Sequence, residues 1–423
     1  MVSVRKGIFA FLLFILLASC SRMSEIQLER RIERIEKGLL ADQSNPPWER
    51  MNLTDRMAYY KVPGVSIAMI NDFQIEWAKS YGVLEAGKDQ PVTTETIFQP
   101  GSTAKPIVAM AALHYVEATD LELDSDVNNK LISWKIPENE FTTQAPVTLR
   151  RLLSHSAGIP YVPLHGYPQG LEVPNRQQLL DGDPPANSEP VRVVIVPGTL
   201  YSYSNGGYMV VEQLLEDATG MPFDVIMDEI VLEPLQMDTI TVKFPLPENL
   251  VPIAASGHWV DGSVISGGWH TNPEMGTGGS WWATPSDMAR LYIEIMLAYT
   301  GQSENIISQE MAVEMLTPQI DDRGLGPWIG DEGGDLFYFG HPGHTDGYKS
   351  YVVCYPKMGQ GLVIMTNSDA GDELYYEILY SVNNEYGWVR NYTVLYTVIT
   401  AIVIIGVVVF LLLRRRRSNS GLV

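Results

Sequence analysis

The segment from residue 101 to residue 113 constrains this chain most, because it places a serine and a lysine at the start of a predicted helix. Ser102 and Lys105 precede the apolar, Ala-rich stretch 107–113. Residues three apart on a helix share a face, so the hydroxyl and the amine can touch. A close amine and the positive end of a helix make serine a competent nucleophile. This spacing indicates acyl transfer, although a helix cap with a solvated lysine has the same pattern.

Two more polar motifs follow Ser102-x-x-Lys105 along the chain. Tyr203 and Asn205 form a Tyr-x-Asn motif, and His341 and Gly343 form a His-x-Gly motif. With these three motifs in this order, the chain resembles the serine β-lactamase and penicillin-binding protein superfamily, and within it the class C β-lactamase-like serine hydrolases. The resemblance covers roughly residues 25 to 387, and it is supported by three further stretches, 61–68, 152–160 and 278–290.

The resemblance implies an α/β plus all-α architecture of the β-lactamase/transpeptidase type, in which helices flank an antiparallel sheet and a helical domain is inserted. We expect the α/β part at about 45–115 and 320–387, the helical region at about 116–319, and a hydrolase domain over 21–387. Alternation and apolar runs predict strands over 64–72, 74–83, 348–355 and 361–366. Amphipathic patterns predict helices over 223–232, 286–298 and 372–383.

The resemblance also implies catalytic roles. Ser102 is expected to be the nucleophile that forms an acyl-enzyme, and Lys105 is expected to hold its hydroxyl. Tyr203 is the implied general base, a role that requires a nearby cation because a phenol titrates near 10 in water. Asn205 would offer its amide to a substrate carbonyl and to Lys105.

The third motif is expected to bind substrate. Backbone amides of Ser102 and His344 form the implied oxyanion hole, and Gly343 lets the strand approach the substrate closely. His341 departs from the β-lactamases, which usually carry lysine there. Histidine is mostly neutral at pH 7 and attracts a carboxylate less strongly, which argues against efficient β-lactam turnover.

The remaining chemistry-bearing side chains favour structural roles. His341, His344 and Asp346 are close in sequence, but the chain has no other cluster of metal ligands, so neither a metal nor a cofactor is expected. His155 is interpreted as a structural hydrogen-bonding residue rather than a base. Cys354 lies in a predicted strand and is interpreted as a core thiol.

The first twenty residues resemble an export signal. Arg5 and Lys6 precede an apolar run over 8–17, which is short for a membrane span. Residues 17–20 resemble a lipoprotein cleavage box, so Cys20 is a candidate for lipidation. An ordinary signal peptide and an uncleaved anchor are the alternatives.

The C-terminal residues predict a membrane anchor. Residues 392–413 carry no charge and would span about 33 Å as a helix. Four arginines begin the tail 414–423 and would hold it in the cytoplasm. The predicted location is therefore the cell membrane. We expect attachment by this helix and by a lipid on Cys20, with the catalytic domain periplasmic or extracellular.

Charge and motifs together leave two function classes open. The formal net charge of −21 excludes nucleic acid as a partner. The first hypothesis is a serine hydrolase of an amide or ester in a small molecule or peptide, such as a cell-wall-derived D-amino-acid peptide, an ester or, inefficiently, a β-lactam. The second is a penicillin-binding-like binding or sensing module with little turnover, which the predicted transmembrane helix motivates.

Overall fold

The computed structural model describes residues 24–40, 49–161, 165–237 and 239–388. The predicted signal and lipidation site at 1–20, the predicted span 392–413 and the tail 414–423 lie outside these residues. The described chain divides into two compact units. One comprises residues 52–377, and the other comprises the described parts of 24–51 and 378–388.

The larger unit is built on a six-stranded antiparallel sheet in the order β4-β3-β10-β9-β8-β7. Strand β10 lies between β3 and β9, so N-terminal and C-terminal segments meet at the centre of the sheet. The described strands are β1 (Leu39–Leu40), β2 (Arg50–Met51), β3 (Gly64–Asn71), β4 (Gln74–Gly82), β5 (Tyr167–Pro168), β6 (His270–Thr271), β7 (Trp328–Gly330), β8 (Tyr338–Thr345), β9 (Tyr348–Tyr355) and β10 (Gln360–Thr366). Nearly every residue of β3 and β10 is buried, as expected for strands covered on both faces.

Helices fill the segment between the two halves of this sheet. Helix α3 is buried on nearly all sides over its first nine residues, which explains why its sequence has no polar face. A 3₁₀ turn at Gly101–Ala104 leads into it. The described helices are α1 (24–36), α2 (Leu53–Tyr60), α3 (Lys105–Ala118), α4 (Leu149–Leu153), α5 (Arg176–Asp181), α6 (Asn205–Thr219), α7 (Phe223–Met227), α8 (Pro285–Tyr299), α9 (Gln309–Met315) and α10 (Gly371–Tyr386). Short 3₁₀ turns lie at Val127–Asn129 and Val251–Ile253, and a π-helical turn at Asp228–Leu232 follows α7.

The smaller unit joins the ends of the described chain. Strands β1 and β2 form a two-stranded antiparallel ribbon. Ser381 on α10 donates its hydroxyl to the carbonyl of Ile35 at 2.8 Å. Arg34 and Glu385 form an ion pair at 2.7 Å. These contacts fasten α1 to the last turns of α10.

The predicted fold class needs one correction, which concerns its C-terminal transmembrane helix. Within the described ranges no helix is both long and apolar enough to cross a membrane. A span needs about 20 consecutive apolar residues, whereas the longest described helix, α10, has 16 residues and acidic groups in its first turn. The fold is therefore an α/β sheet structure with an inserted helical region, and no membrane-spanning helix belongs to the part that the structure describes.

Candidate active site

Ser102 lies on the 3₁₀ turn at the start of α3, and two glycines make room for this turn. Gly101 has a φ of +55°, and a Cβ there would lie 2.9 Å from the backbone nitrogen of His344. Gly278 also has a positive φ, and a Cβ there would lie 2.2 Å from the carbonyl oxygen of Gly101. Because Gly101 and Gly278 have no side chains, the backbones of β8 and of segment 276–279 pack directly against the backbone of this turn.

Lys105 is completely buried directly beneath the serine. Its Nζ lies 2.9 Å from Ser102 Oγ and donates to the carbonyl of Thr277 at 3.0 Å. Burial lowers the pKa of Lys105 to about 7, with the carboxylate of Glu274 opposing that shift. Near neutral pH, a large share of the molecules therefore has an uncharged amine in contact with the serine hydroxyl.

Tyr203 contacts the same hydroxyl from the other side. Its phenol donates a hydrogen bond to Ser102 Oγ at 2.7 Å. Burial raises the pKa of Tyr203, so the phenol keeps its proton at neutral pH. The electrostatics favour the amine of Lys105 over this phenol as the proton acceptor, which differs from the role that the family resemblance implies.

His155 positions the Tyr203 segment rather than reaching the serine. It is buried, and its backbone has a φ of +57°. Its Nδ1 accepts a hydrogen bond from the backbone N–H of Ser204 at 3.0 Å, and its ring lies 4.4 Å from the ring of Tyr203. Burial lowers the pKa of His155 well below its usual value, so the ring stays neutral. These contacts agree with the structural interpretation.

Asn205 is the first residue of α6, and a hydrogen-bonded N-cap fixes where this helix begins. Ser204 is the N-cap, and its side chain accepts from the backbone N–H of Gly207 at 3.1 Å. Asn205 lines the same cavity as Ser102. The structure therefore places the amide beside the reacting centre, where it can meet a substrate carbonyl.

His341 lies in the middle of β8 and is a neutral group. Burial, and then the proximity of Lys105, lower its pKa to about 3. Its Nδ1 lies 2.5 Å from the carbonyl of Pro342, which can only accept, so the neutral ring carries its proton there. The other nitrogen, Nε2, has no hydrogen-bond partner within the described residues. His341 can accept a hydrogen bond from a ligand but supplies no positive charge to a carboxylate.

Gly343 brings β8 against the turn that carries the serine. A Cβ at this position would lie 2.1 Å from the carbonyl oxygen of Pro100 and 2.2 Å from Ser350 Oγ. Only glycine allows this approach, which places the backbone of His344 against residues 100–102. The predicted oxyanion donors, the amides of Ser102 and His344, therefore lie on adjoining backbone segments.

One cavity of about 490 Å³ is lined by most of the predicted site residues but not by Gly343, and the buried Lys105 contacts one of its lining residues, Ser102. Its lining includes Ser102, Tyr203, Asn205, His341 and His344. The described residues contain no group of three or more His, Cys, Asp or Glu side chains arranged to hold a metal ion. Cys354 is buried in β9, and burial raises the pKa of its thiol.

Two contributions to the site escape sequence reasoning. The carbonyl of Thr277 fixes the amine of Lys105, and the carboxyl of Glu274 acts on its pKa. Both belong to a segment that is predictable only as a glycine turn. The Gly-Thr-Gly-Gly run at 276–279 indicates that another segment packs closely against this one, but the sequence does not identify that segment.

The serine contacts an amine and a phenol, and it lies beside a strand whose backbone amides can bind an oxyanion. This is the active-site arrangement of a serine hydrolase. The Beta-lactamase family model matches residues 50–381, and the chain belongs to this family.

Relatives of known name support this assignment. The unguisins hydrolase ungD of Aspergillus violaceofuscus is 22% identical over 387 residues, which cover 80% of this chain and 66% of the relative. Penicillin-binding protein 4 of Amycolatopsis lactamdurans is 26% identical over 351 residues, covering 78% of this chain and 87% of the relative. The chain thus spans slightly less than two thirds of the first of these proteins.

A solved structure shows the same fold. The D-amino acid amidase from Ochrobactrum anthropi SV3, complexed with L-phenylalanine amide, superposes with a TM-score of 0.64 at 20% sequence identity. The match covers 84% of this chain and 99% of the amidase. At this identity the likeness concerns the arrangement of the backbone.

Proposed function

We propose that this chain hydrolyses an amide or ester bond through an acyl-enzyme on Ser102. The observation that carries the proposal is the position of Ser102 Oγ, 2.9 Å from the amine of Lys105 and 2.7 Å from the phenol of Tyr203. One neighbour can take the proton of the hydroxyl and the other can give a proton, which are the two transfers that acylation needs.

In the acylation step, the neutral amine of Lys105 takes the proton of Ser102 as Oγ attacks the carbonyl carbon. The carbonyl oxygen becomes an oxyanion, which the backbone amides of Ser102 and His344 stabilise. When the bond to the leaving group breaks, Tyr203 gives its proton to the departing nitrogen or oxygen and recovers one from Lys105. The leaving group departs neutral, and the acyl group stays on Oγ.

Deacylation reverses these transfers with water as the attacking group. The amine of Lys105 takes a proton, through the phenol of Tyr203, from the water that attacks the ester carbonyl. The tetrahedral intermediate then expels Ser102 Oγ, which recovers a proton from the same relay. The acid product leaves, and the site returns to its starting protonation state.

The proposed substrate is an ester or an amide of a small molecule or peptide, including D-amino-acid peptides. The family, and the names of relatives such as the unguisins hydrolase and the D-amino acid amidase, support this class. Because His341 is neutral and buried, we propose that carboxylate-bearing β-lactams are poor substrates.

The test is hydrolysis of p-nitrophenyl acetate by Ser102→Ala and by a matched control, Ser66→Ala. Ser66 is buried on β3, where its hydroxyl contacts that of Ser80 at 2.8 Å. We expect the first variant to fold normally and to lose turnover, whereas the second keeps it. Equal turnover by a folded Ser102→Ala variant would remove the acyl-serine mechanism.

We also propose that residues 1–20 direct export and that Cys20 receives a lipid. The support is the sequence of that segment, which lies outside the described residues. Mass analysis of the mature N-terminus tests this proposal. A lipidated N-terminal Cys20 would support it, and an intact Met1 in the mature protein would refute it.

A further inference from the structure

A small polar cavity adjoins the nucleophile on the side of the helical region. It has a volume of about 40 Å³, and its lining includes Ser102, Asn205, Asn272 and Glu274. A buried site needs about 10–15 Å³ to hold one water molecule. This cavity is therefore large enough for an ammonium group or about three water molecules.

The carboxyl of Glu274 is the charged group of this cavity. Only 3% of Glu274 is exposed, and it forms no salt bridge within the described residues. The basic group that acts on Glu274 is the amine of Lys105, which already contacts Ser102 and the carbonyl of Thr277. Burial, and to a smaller extent the neighbouring carboxyl of Glu212, raise the pKa of Glu274 to about 7. A cation entering the cavity would stabilise the ionised form.

The other buried acid of this region already has its partner. Glu212 forms an ion pair with Arg176 at 2.6 Å and accepts from the backbone N–H of Gly276 at 2.7 Å. Arg176 also pairs with Glu216. Arg176 is therefore paired with both acids of α6, Glu212 and Glu216. The carboxyl of Glu274 lines the cavity beside Ser102 without such a partner among the described residues.

We propose that Glu274 binds an ammonium group on the carbon next to the scissile carbonyl, so that the substrates are amides, esters or peptides of amino acids with a free α-amino group. This inference rests on the proposed function of Ser102. In such a substrate the ammonium nitrogen is two bonds from the carbonyl carbon that Ser102 attacks. A cavity that has Ser102 and Glu274 as walls is the place where this nitrogen arrives.

An aromatic cavity continues from the polar one and fits the side chain of the same amino acid. The two cavities share Asn272 and Gly279 in their walls. The second has a volume of about 280 Å³ and is lined by Phe244, Trp269 and Trp282, the two indole rings lying 5.1 Å apart. An apolar or aromatic side chain would lie against these rings while the ammonium meets Glu274.

The experiment compares substrates that differ only in the ammonium group. The full chain is given D- and L-phenylalanine p-nitroanilide and 3-phenylpropionyl p-nitroanilide, and kcat/KM is measured for wild type and for Glu274→Gln. The matched control is Glu294→Gln, a buried acid on α8 that accepts a hydrogen bond from Ser303 at 2.6 Å. We expect wild type and the control to prefer a phenylalanine substrate. Glu274→Gln should lower the ratio of kcat/KM for that substrate to kcat/KM for the 3-phenylpropionyl substrate about 10- to 100-fold, because a change in the pKa of Lys105 affects both substrates alike.

Three results would overturn the inference. A wild-type enzyme without preference for the free amine refutes it without any variant, so a folding defect in Glu274→Gln does not hide the answer. An equal loss on both substrates would show that Glu274 acts through Lys105 instead of on the ligand. Activity on p-nitrophenyl acetate alone would leave the proposed function standing and refute the ammonium site, whereas absence of that activity would refute the proposed function itself.

Discussion

The acylation rate should follow the ionisation of Lys105. Burial lowers the pKa of this amine to about 7, so the uncharged fraction is about 9%, 50% and 91% at pH 6, 7 and 8. Because the neutral amine takes the serine proton, kcat/KM should rise roughly tenfold from pH 6 to pH 8 and level off above it. The assay is the initial rate of p-nitrophenyl acetate hydrolysis, read at the isosbestic wavelength of p-nitrophenol.

Two variants separate Lys105 from the other groups that could produce this pH dependence. Tyr203→Phe should lower the plateau and keep the midpoint near 7, since the phenol gives a proton and does not titrate there. Glu274→Gln should move the midpoint to lower pH, because the carboxylate raises the pKa of Lys105. His341 has a pKa of about 3 and contributes nothing in this range.

A midpoint far above pH 8 that disappears in Tyr203→Phe would refute this reasoning. It would return the role of general base to the phenol, as the family resemblance implies. Loss of the pH dependence in Glu274→Gln would assign it to that carboxyl. Lys105→Arg provides the negative control, because a guanidinium keeps its proton and cannot accept the one from Ser102.

Two structural predictions complete this set. Gly343→Ala places a methyl group 2.1 Å from the carbonyl oxygen of Pro100, so β8 must move away. This variant should lose about 1–3 kcal/mol of stability and about 10²-fold in kcat. Gly207→Ala is the control and should retain activity in the same assay, because the nearest contact of its methyl group would be 3.7 Å. Glu377→Ala leaves Arg56 buried without its 2.6 Å partner and should lower the free energy of unfolding in urea by about 3–5 kcal/mol. An unchanged urea midpoint for Glu377→Ala, or full activity in Gly343→Ala, would contradict these packing arguments.

Local pattern predicts much of the sheet and its flanking helices. The strand predicted over 348–355 coincides with β9, and the strand predicted over 361–366 begins one residue later than β10. Helix α8 extends one residue beyond each end of its prediction, since Thr284 and Asp287 form a capping box at its start. In these segments the alternation or the cap is encoded within a few neighbouring residues, so the sequence alone is enough to predict these elements.

Contacts between distant segments account for what sequence does not predict. The helix predicted over 223–232 ends as an α-helix at Met227 and continues as a π-helical turn. The three motifs predict which residues meet at Ser102, but not that burial lowers the pKa of Lys105 while raising that of Tyr203. Desolvation depends on everything packed around a group, including Thr277 and the glycines beside it, and no local pattern reports it.

The central claim is that Ser102 forms a covalent acyl-enzyme, and intact-mass spectrometry tests it most directly. The full chain is mixed with p-nitrophenyl acetate, quenched in acid at increasing times, and digested to locate the adduct. We predict one acetyl group on Ser102 that appears with the first release of p-nitrophenol and decays as product accumulates. Release of p-nitrophenol with no adduct at any time, or with the acetyl group on another residue while Ser102 stays free, would contradict this mechanism.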